Sequence, residues 1–364
     1  MNKFEVNISG FKYPVYSGNI KIKKIVELII KTAKSYKYFI LIDRNVSRIY
    51  GDIFIKEFNS AREQIHYYEI YSSENLKSLS TIEKIYKELS INNFGRDSCL
   101  VAVGGGITGD LGGFVASTYM RGIKFVQIPT TILAAVDSSI GGKTGYNFKD
   151  TKNLIGTFHH PFLVVSNTHF FNSLSAREID SGIGEIIKYT FLSGKKFYEY
   201  VLSNYSKLQS LEEKIVQHVI NECISIKSSI VSQDEKEDGL RKILNFGHTF
   251  AHAFESYFKY KISHGKAVTA GIIAANILSK KIGIISKDQF EEFQQLPSKV
   301  NLPKILSDFD NKSLIEIMNF DKKRREGKLN FVLLKEFGEL LIDVKVNPKE
   351  LNWSLNEFKK TFSV

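Results

Sequence analysis

A glycine-rich segment places the tightest constraint on how this chain can fold. Ten of its 25 glycines fall between Gly104 and Gly145. Glycine allows positive φ angles and lets a ligand approach the main chain closely. The cluster follows the apolar run Cys99–Val103, which predicts a buried strand. A strand that leads through glycines into a helix presents backbone N–H groups, so this segment predicts an α/β domain with a phosphate or pyrophosphate site.

The glycine spacing is by itself a weak signal for a dinucleotide. Gly104, Gly106 and Gly109 satisfy the pattern G-x-G-x-x-G after the predicted strand. The acidic residue that usually follows about 20 residues later is missing, because Ile128 and Pro129 stand near that position. A dinucleotide or phosphate site therefore remains the prediction, and a tight packing turn is the alternative.

The first half of the chain alternates strand-like and helix-like patterns. The runs Tyr38–Ile42, His66–Tyr71, Cys99–Val103 and Lys124–Ile128 predict strands, and Thr81–Leu89 predicts a helix. Such alternation indicates a mostly parallel sheet, in which ligands bind beyond the carboxyl ends of the strands. Side chains that follow predicted strands should gather at that edge, and they include Asp43, Thr130 and Thr131.

The second half is predicted to be helical. No proline occurs between Pro161 and Pro297, and Ser175 with Glu178 fits a capping box. Long patterns with helical period follow over Glu212–Val231 and Leu240–Phe258. We therefore predict an N-terminal α/β domain over 1–173 and a C-terminal helical domain over 174–364. A small hairpin should form where residues 328–334 and 340–346 flank Gly338.

Charge and composition narrow the class of partner. The net charge is +11, but the lysines are scattered among acidic residues, and the one dense basic run lies at residues 322–328. This distribution favours a solvated surface or a local anion site over nucleic acid. Met1–Ser9 lacks the apolar stretch of a signal peptide, and Val268–Leu278 is too short to span a bilayer. Cys99 and Cys223 are expected to be buried free thiols in a reducing cytosol.

Three residues of the second half could hold a metal ion. Glu185 lies on the helix predicted after Ser175, His248 on another helix, and His264 follows 16 residues later. Two histidines and a carboxylate suit a catalytic zinc ion with one open position. Spacing alone leaves alternatives open, because His248 and His252 are four residues apart and could be core histidines or a different metal pair.

Several cations could form an anion site near these residues. Lys188 is three residues from Glu185, and hence on the same helix face. Each cation taken singly is compatible with a solvated surface charge. If they converge, arginine suits a carboxylate and lysine a phosphate. The set comprises Arg121, Lys143, Lys188, Lys227 and Arg241, with the amide of Asn245.

Longer motifs resemble 3-dehydroquinate synthase, of the sugar-phosphate cyclase family. The resemblance spans essentially the whole chain in the family's order. Its motifs are GGGITGD, TYMRGI, PTT, VDSSIGGKTG, KNLIG, SAREIDSGIGEIIKY, DEKEDGLRKILNFGHTFAHA, ISHGKAV and DKK. It implies a Rossmann-like NAD-binding domain, a helical domain that binds Zn²⁺ or Co²⁺, and a cytosolic homodimer of the shikimate pathway. The implied reaction converts 3-deoxy-D-arabino-heptulosonate 7-phosphate into 3-dehydroquinate and phosphate, with no membrane or nucleic-acid partner.

The resemblance also implies roles for individual residues. The metal ligands would be Glu185, His248 and His264. NAD would contact Asp43, Glu74, Lys77, Gly105, Gly106, Asp110, Thr130, Thr131, Asp137, Lys143, Lys152, Phe170 and Ser173. The substrate and catalytic residues would be Arg121, Lys143, Asn153, Lys188, Lys227, Arg241, Asn245 and His252, with Lys322 or Lys323 at the phosphate.

Some positions depart from the family pattern. Asn167 stands where aspartate is common, Ala251 where glycine is usual, and Lys266 where glutamate is frequent. Lys266 would add positive charge close to the metal. Two rival activities stay open: another sugar-phosphate cyclase of the 2-deoxy-scyllo-inosose synthase type, and a metal-dependent polyol dehydrogenase.

Overall fold

The computed structural model describes residues 1–149, 151–323 and 329–362, with the side chains of 320–323 outside that description. The strands are β1 (Asn2–Ile8), β2 (Phe11–Gly18), β3 (Lys37–Asp43), β4 (Gln64–Ile70), β5 (Cys99–Gly104), β6 (Lys124–Pro129), β7 (Lys143–Phe148), β8 (Thr151–Phe158), β9 (Leu163–Asn167), β10 (Asn330–Glu336) and β11 (Glu339–Lys345).

Thirteen α-helices lie in the described part of the chain. They are α1 (Ile22–Ala33), α2 (Arg44–Ser60), α3 (Leu79–Ile91), α4 (Gly106–Thr118), α5 (Ala176–Ser193), α6 (Lys195–Ser203), α7 (Tyr205–Gln209), α8 (Glu213–Gln233), α9 (His248–Tyr257), α10 (His264–Lys281), α11 (Lys287–Gln294), α12 (Asn311–Lys323) and α13 (Pro348–Lys360). Within the described ranges, no helix is long and apolar enough to cross a membrane.

The chain divides into two compact units. The first comprises Met1–Leu174 with Val216–Glu235, and the second comprises Ser175–Ile215 with Lys236–Val364. Most of α8 therefore packs with the first unit, whereas the division expected at residues 173 and 174 assigns it to the second. The bounds of the functional domains stay a prediction.

The first unit is built on a mostly parallel sheet. In the described part of the chain, seven strands form it in the order β1-β2-β9-β6-β5-β3-β4, and only the edge strand β1 is antiparallel to its neighbour. All six residues of β5 are buried, as expected for a strand covered on both faces. On one face, Phe39, Leu41 and Leu100 pack against apolar residues of α3 and α4. The α/β prediction is confirmed, and the four predicted strands correspond to β3, β4, β5 and β6.

A two-stranded hairpin of the first unit was not predicted. Strands β7 and β8 pair antiparallel and carry Lys143, Lys152 and Asn153. Gly145 and Gly156 face each other there, and a Cβ on Gly145 would lie 2.4 Å from the Ile155 carbonyl oxygen. The hairpin is held by this close approach of two backbones rather than by an alternating apolar pattern, so periodicity could not reveal it.

The second unit is helical, as predicted, and carries the hairpin β10–β11. The Ser175 and Glu178 capping box is present at the start of α5. The predicted continuous helix over Leu240–Phe258 is wrong. It is a short 3-10 turn over Leu240–Asn245 and then α9, which begins at His248 after Gly247 adopts φ +77°. This break places His248 at a helix start rather than in a helix interior.

Candidate active site

Three predicted metal ligands come together in the second unit. Glu185, His248 and His264 each offer a ligand atom within 4.8 Å of the others. Glu185 Oε1 lies 3.1 Å from His264 Nε2 and 3.4 Å from His248 Nε2. His252, the alternative partner of His248, is not part of this group of donors. Two imidazole nitrogens and one carboxylate oxygen are the donor set that zinc prefers at catalytic sites, so these residues fit a divalent transition metal.

A glycine adjoins each ligand and lets the helices approach closely. A Cβ on Gly184 would lie 2.1 Å from the Gly265 carbonyl oxygen, and a Cβ on Gly265 would lie 2.2 Å from that of Ser181. Helices α5 and α10 therefore cross in backbone contact. Gly247 has the same effect on α9, because its Cβ would meet Ile272 of α10 at 2.8 Å. These contacts bring three helices close enough for Glu185, His248 and His264 to meet.

The outward-facing nitrogens of both histidines have hydrogen-bond partners. His248 Nδ1 lies 3.2 Å from the Phe246 carbonyl oxygen, and His264 Nδ1 lies 3.4 Å from Glu255 Oε2. Such partners fix the tautomer and orientation of a ligating imidazole, which leaves Nε2 as the ligand atom. Both Nε2 atoms accordingly face Glu185.

Glu185 is fully buried, and neighbouring cations compensate its negative charge. Lys188 Nζ lies 2.5 Å from Glu185 Oε2, and Lys188 is only 1% exposed. Burial favours the neutral carboxyl, but Lys188 and the two imidazoles outweigh it and hold the pKa of Glu185 well below its usual range. Burial likewise opposes charge on His264, yet Glu185 and Glu255 raise its pKa to about 10. The site is therefore arranged to hold positive charge.

The other candidates of the second unit lie on α9, on the 3-10 turn before it and at the end of α12. His252 lies one turn after His248 on α9, with ring centroids 5.4 Å apart, and it is exposed. Arg241 is 2% exposed, and Asn245 donates to Glu237 Oε1 at 2.5 Å. Lys322 and Lys323 end α12, but their side chains lie outside the described residues.

The glycine turn of the first unit leads strand β5 into helix α4. Gly105 is the residue before the helix, and Gly106 is its first residue. The glycines from Gly104 to Gly113 have no positive φ; space is what they provide. A Cβ would lie 2.3 Å from Thr108 Oγ1 at Gly104, and 2.7 Å from Gln127 Oε1 at Gly109. The glycines are therefore tightly packed, and no side chain of the described residues caps the N-terminus of α4.

Five predicted cofactor and substrate residues form one polar network. Lys77 is 4% exposed, and its Nζ lies 2.5 Å from Asp110 Oδ2 and donates to Asn153 Oδ1. Burial raises the pKa of Asp110, and the Lys77 ammonium opposes that shift. Lys152 Nζ lies 3.9 Å from Glu74 Oε1.

Asn147 connects this network, and the sequence did not single it out. Its side chain donates to Glu74 Oε1 at 2.7 Å and accepts from the Asn153 backbone at 2.9 Å. Its own backbone N–H donates to the Lys77 carbonyl at 2.8 Å. Asn147 thus fixes the hairpin β7–β8 to the loop that carries Glu74 and Lys77.

Two further predicted residues, Lys227 and Asp137, contact each other in the segment after strand β6. Lys227 Nζ donates to Asp137 Oδ1 at 2.7 Å and to its carbonyl oxygen at 2.6 Å. Thr131 Oγ1 accepts from the Ala134 backbone and so starts the helical turn that holds Asp137. Thr130 donates its backbone N–H to Gly104, at the glycine turn.

The remaining candidates have mainly local contacts. Asp43 caps α2 by accepting from the backbone of Asn45 at 2.8 Å. Phe170 packs edge-on against Tyr50 with centroids 4.9 Å apart, and Ser173 donates to the Phe170 carbonyl. Arg121 and Lys143 are exposed residues of the first unit.

Two departures from the family pattern have clear contacts. The buried Asn167 both accepts from Ile20 N–H and donates to its carbonyl, each at 2.9 Å, which an aspartate could not do. The charge of Lys266 is paired with Asp180 at 3.0 Å. The sequence analysis also missed Glu237, which contacts Asn245, and Glu255, which contacts His264. These contacts depend on the folded structure and leave no pattern in the sequence.

Comparison with known proteins identifies the family. Models of the 3-dehydroquinate synthase N-terminal and C-terminal regions match residues 67–181 and 182–324. The 3-dehydroquinate synthase of Pelagibacter ubique (strain HTCC1062) is 40% identical over 362 residues, which cover 98% of each chain. This chain belongs to the 3-dehydroquinate synthase family. Another member, from Thermoanaerobacter pseudethanolicus, is 40% identical over 93% of this chain and 96% of its own.

Solved structures show the same fold. A 2-deoxy-scyllo-inosose synthase, crystallised with carbaglucose 6-phosphate, NAD⁺ and Co²⁺, has a TM-score of 0.88 at 24% identity, over 98% of this chain and 99% of that one. A 2-epi-5-epi-valiolone synthase from Streptomyces hygroscopicus with NAD⁺ and Zn²⁺ bound also has a TM-score of 0.88, at 22% identity over 96% and 97% of the two chains. The α/β plus helical architecture of the 3-dehydroquinate synthase family is thus confirmed.

Proposed function

We propose that this chain catalyses the 3-dehydroquinate synthase reaction as a phosphate-eliminating lyase. The substrate is 3-deoxy-D-arabino-heptulosonate 7-phosphate, and the products are 3-dehydroquinate and phosphate. The observation that carries the proposal is the set of donor atoms on Glu185, His248 and His264, within 4.8 Å of one another in a chain of this family.

The second unit is proposed to hold Zn²⁺ or Co²⁺. His248, His264 and Glu185 would be its ligands, and the histidine partners Phe246 and Glu255 keep Nε2 available. When bound, such an ion supplies Lewis acidity toward a substrate hydroxyl. We assign His252 to proton transfer, because a neutral imidazole can accept a proton near pH 7 and this ring lies one turn from His248.

The first unit is proposed to hold NAD. The backbone at Gly105 and Gly106 would meet the pyrophosphate at the start of α4, where the helix dipole favours an anion. NAD supplies a reversible hydride acceptor when bound. The other contacts would come from the polar network and its neighbours: Asp43, Glu74, Lys77, Asp110, Thr130, Thr131, Asp137, Lys143, Lys152, Phe170 and Ser173.

Cations and amides would bind the substrate's carboxylate and phosphate. These groups carry about three negative charges near pH 7. Placing such an anion in a site without partners costs several kcal/mol, so charge-assisted hydrogen bonds are required. Lys188, Lys227 and Arg241 are each at most 5% exposed. We assign them to the substrate together with Arg121, Lys143, Asn153 and Asn245, and with Lys322 or Lys323 at the phosphate.

We further propose a homodimer that works in the cytosol on a sugar acid phosphate. Cys99 and Cys223 are buried thiols that form no disulfide, which is compatible with a reducing compartment. Light scattering of the purified chain tests the dimer, for which a mass near twice 41.4 kDa is expected. A mass of one chain at all concentrations would exclude it.

One incubation separates this function from its rivals. The chain is mixed with NAD, Zn²⁺ and the heptulosonate phosphate, and phosphate and dehydroquinate are both measured. We expect equal amounts of the two products and no net NADH. Cyclisation of glucose 6-phosphate or sedoheptulose 7-phosphate instead would favour another cyclase. Accumulation of NADH with a polyol would favour a dehydrogenase.

A further inference from the structure

Glu255 is a buried carboxylate that the proposed reaction does not use. It lies on α9 and is 4% exposed. Its Oε2 is 3.4 Å from Nδ1 of His264, whose Nε2 is 3.1 Å from Glu185 Oε1. The His264 ring is thus held between a ligand carboxylate on one side and an outer carboxylate on the other.

The helix spacing explains how Glu255 reaches this position. His248, His252 and Glu255 are at positions i, i+4 and i+7 of α9, so they share one face of the helix. His264 is the first residue of α10, which packs against α9 through the contact of Gly271 with Gly247. One face of α9 therefore supplies both a ligand and the partner of a second ligand.

The two histidine ligands are oriented by different chemistry. His248 Nδ1 meets a backbone carbonyl, that of Phe246, which is fixed by the turn before α9. His264 Nδ1 meets a carboxylate, which adds a full negative charge to the hydrogen bond. An outer carboxylate of this kind makes the ligating nitrogen a stronger donor to a metal ion.

The negative charge of Glu255 also affects how well the site can accommodate a divalent ion. Lys188 is buried 2.5 Å from the ligand Glu185, so Glu185 alone would leave no negative charge for an incoming divalent ion. Glu255 adds a second buried carboxylate, beside the proposed ligand His264. Removing the Glu255 charge would make a dication harder to accommodate in this low-dielectric setting.

We propose that Glu255 is a positioning residue that orients His264 and supplies negative charge for the divalent ion of this site. The inference rests on the proposed metal site in the second unit. It does not depend on which substrate is turned over, because metal affinity is read without substrate or NAD.

The test compares metal binding by Glu255→Gln with that of the unaltered chain. Full-length protein is stripped with a chelator and titrated with Co²⁺ against a fluorescent competitor, and the Co²⁺ absorption bands are recorded. Glu255→Gln keeps the side-chain shape but removes the charge. We expect Co²⁺ affinity to fall roughly 10- to 100-fold, which is typical when a hydrogen-bond partner of a ligating histidine is lost, and the absorption bands should shift. Glu255→Asp should recover part of the affinity.

Glu88→Gln is the matched control. It removes a carboxylate that pairs with an imidazole, 3.2 Å from His66 Nε2, in the first unit. Its Co²⁺ affinity should stay within about twofold of the unaltered chain. Glu255→Gln affinity that also stays within twofold, with unchanged bands, would overturn the proposal.

Glu255→Asp covers the case in which Glu255→Gln does not fold. Its shorter side chain should weaken Co²⁺ binding measurably, and full affinity would reject the proposal. The expected loss of Co²⁺ affinity in Glu255→Gln can also be measured if the unaltered chain makes no dehydroquinate. That result would reject the proposed reaction but support the role of Glu255.

Discussion

His264 shows how a single side chain is prepared for a metal ion before the ion arrives. Its ring contacts two carboxylates, Glu185 at 3.1 Å and Glu255 at 3.4 Å. Without the ion, the two carboxylates favour the protonated imidazole and raise the pKa of His264 to about 10. Binding of a metal ion must displace this proton, because only the neutral ring can be a ligand.

The raised pKa of His264 predicts a stability change in metal-free protein. The folded value near 10 lies above the ordinary 6.5, so the favourable charge is fully present below pH 6.5 and lost as the pH rises toward 10. After chelation, we expect the free energy of unfolding to fall across this window. Urea denaturation at several pH values measures it, with His264→Asn as the control. An equal pH slope in both proteins would contradict the assignment.

Substitution of Arg241 should weaken binding of the substrate, whereas substitution of Lys77 should weaken binding of NAD. Loss of charged hydrogen bonds costs about 1.5–3 kcal/mol each, so Arg241→Ala should weaken a phosphonate analogue of the substrate roughly 10- to 100-fold. NAD affinity should change about twofold at most. Lys77→Ala should show the reverse pattern. Calorimetry with both ligands measures this, and equal losses for both ligands in either variant would reject that residue's role.

Residue types and the family motifs predicted the candidate metal ligands but not the residues that position them. Glu185 and His264 stand out as a carboxylate and an imidazole beside glycines in a family motif. Glu255 and Asn147 do not, because their roles come from distances of 3.4 Å or less to residues far away in the chain or across a turn. A sequence pattern carries no information about such contacts unless the fold is already known.

At the level of elements, close backbone contact between helices determines where the candidate metal-binding residues lie. Helices α5 and α10 touch at Gly184 and Gly265, next to the proposed ligands Glu185 and His264. Local signals predicted the start of α5 and the strands β3 to β6. They failed at Leu240–Phe258, where one φ of +77° at Gly247 interrupts an apolar pattern that is otherwise continuous. They also failed at β7–β8, whose pairing depends on glycines on both strands.

Gly184→Ala tests the close helix contact. Alanine favours a helix by about 1 kcal/mol over glycine, but its Cβ would lie 2.1 Å from the Gly265 carbonyl oxygen. A backbone cannot move aside as a flexible side chain can, and overpacking costs about 1–3 kcal/mol. We expect lower stability and weaker Co²⁺ binding. Thermal melts and metal titration check this, and a more stable variant with full metal affinity would contradict it.

For the whole molecule, the two compact units have different chemical tasks in the proposed reaction. The first offers a helix N-terminus and a polar network suited to a dinucleotide, and the second offers the donor atoms for a metal ion. Neither set alone provides both a hydride acceptor and a Lewis acid. The reaction therefore requires the full chain, with both groups bound.

Metal reconstitution tests the central claim most directly. Chelator-treated protein is titrated with Co²⁺ in the presence of NAD and the heptulosonate phosphate, while phosphate and dehydroquinate are followed together. The account predicts that both products rise in equal amounts until one ion is bound per chain, and that His264→Ala stays inactive and metal-free with an unchanged circular dichroism spectrum. Full turnover by the metal-free chain, or by His264→Ala with normal metal content, would contradict it.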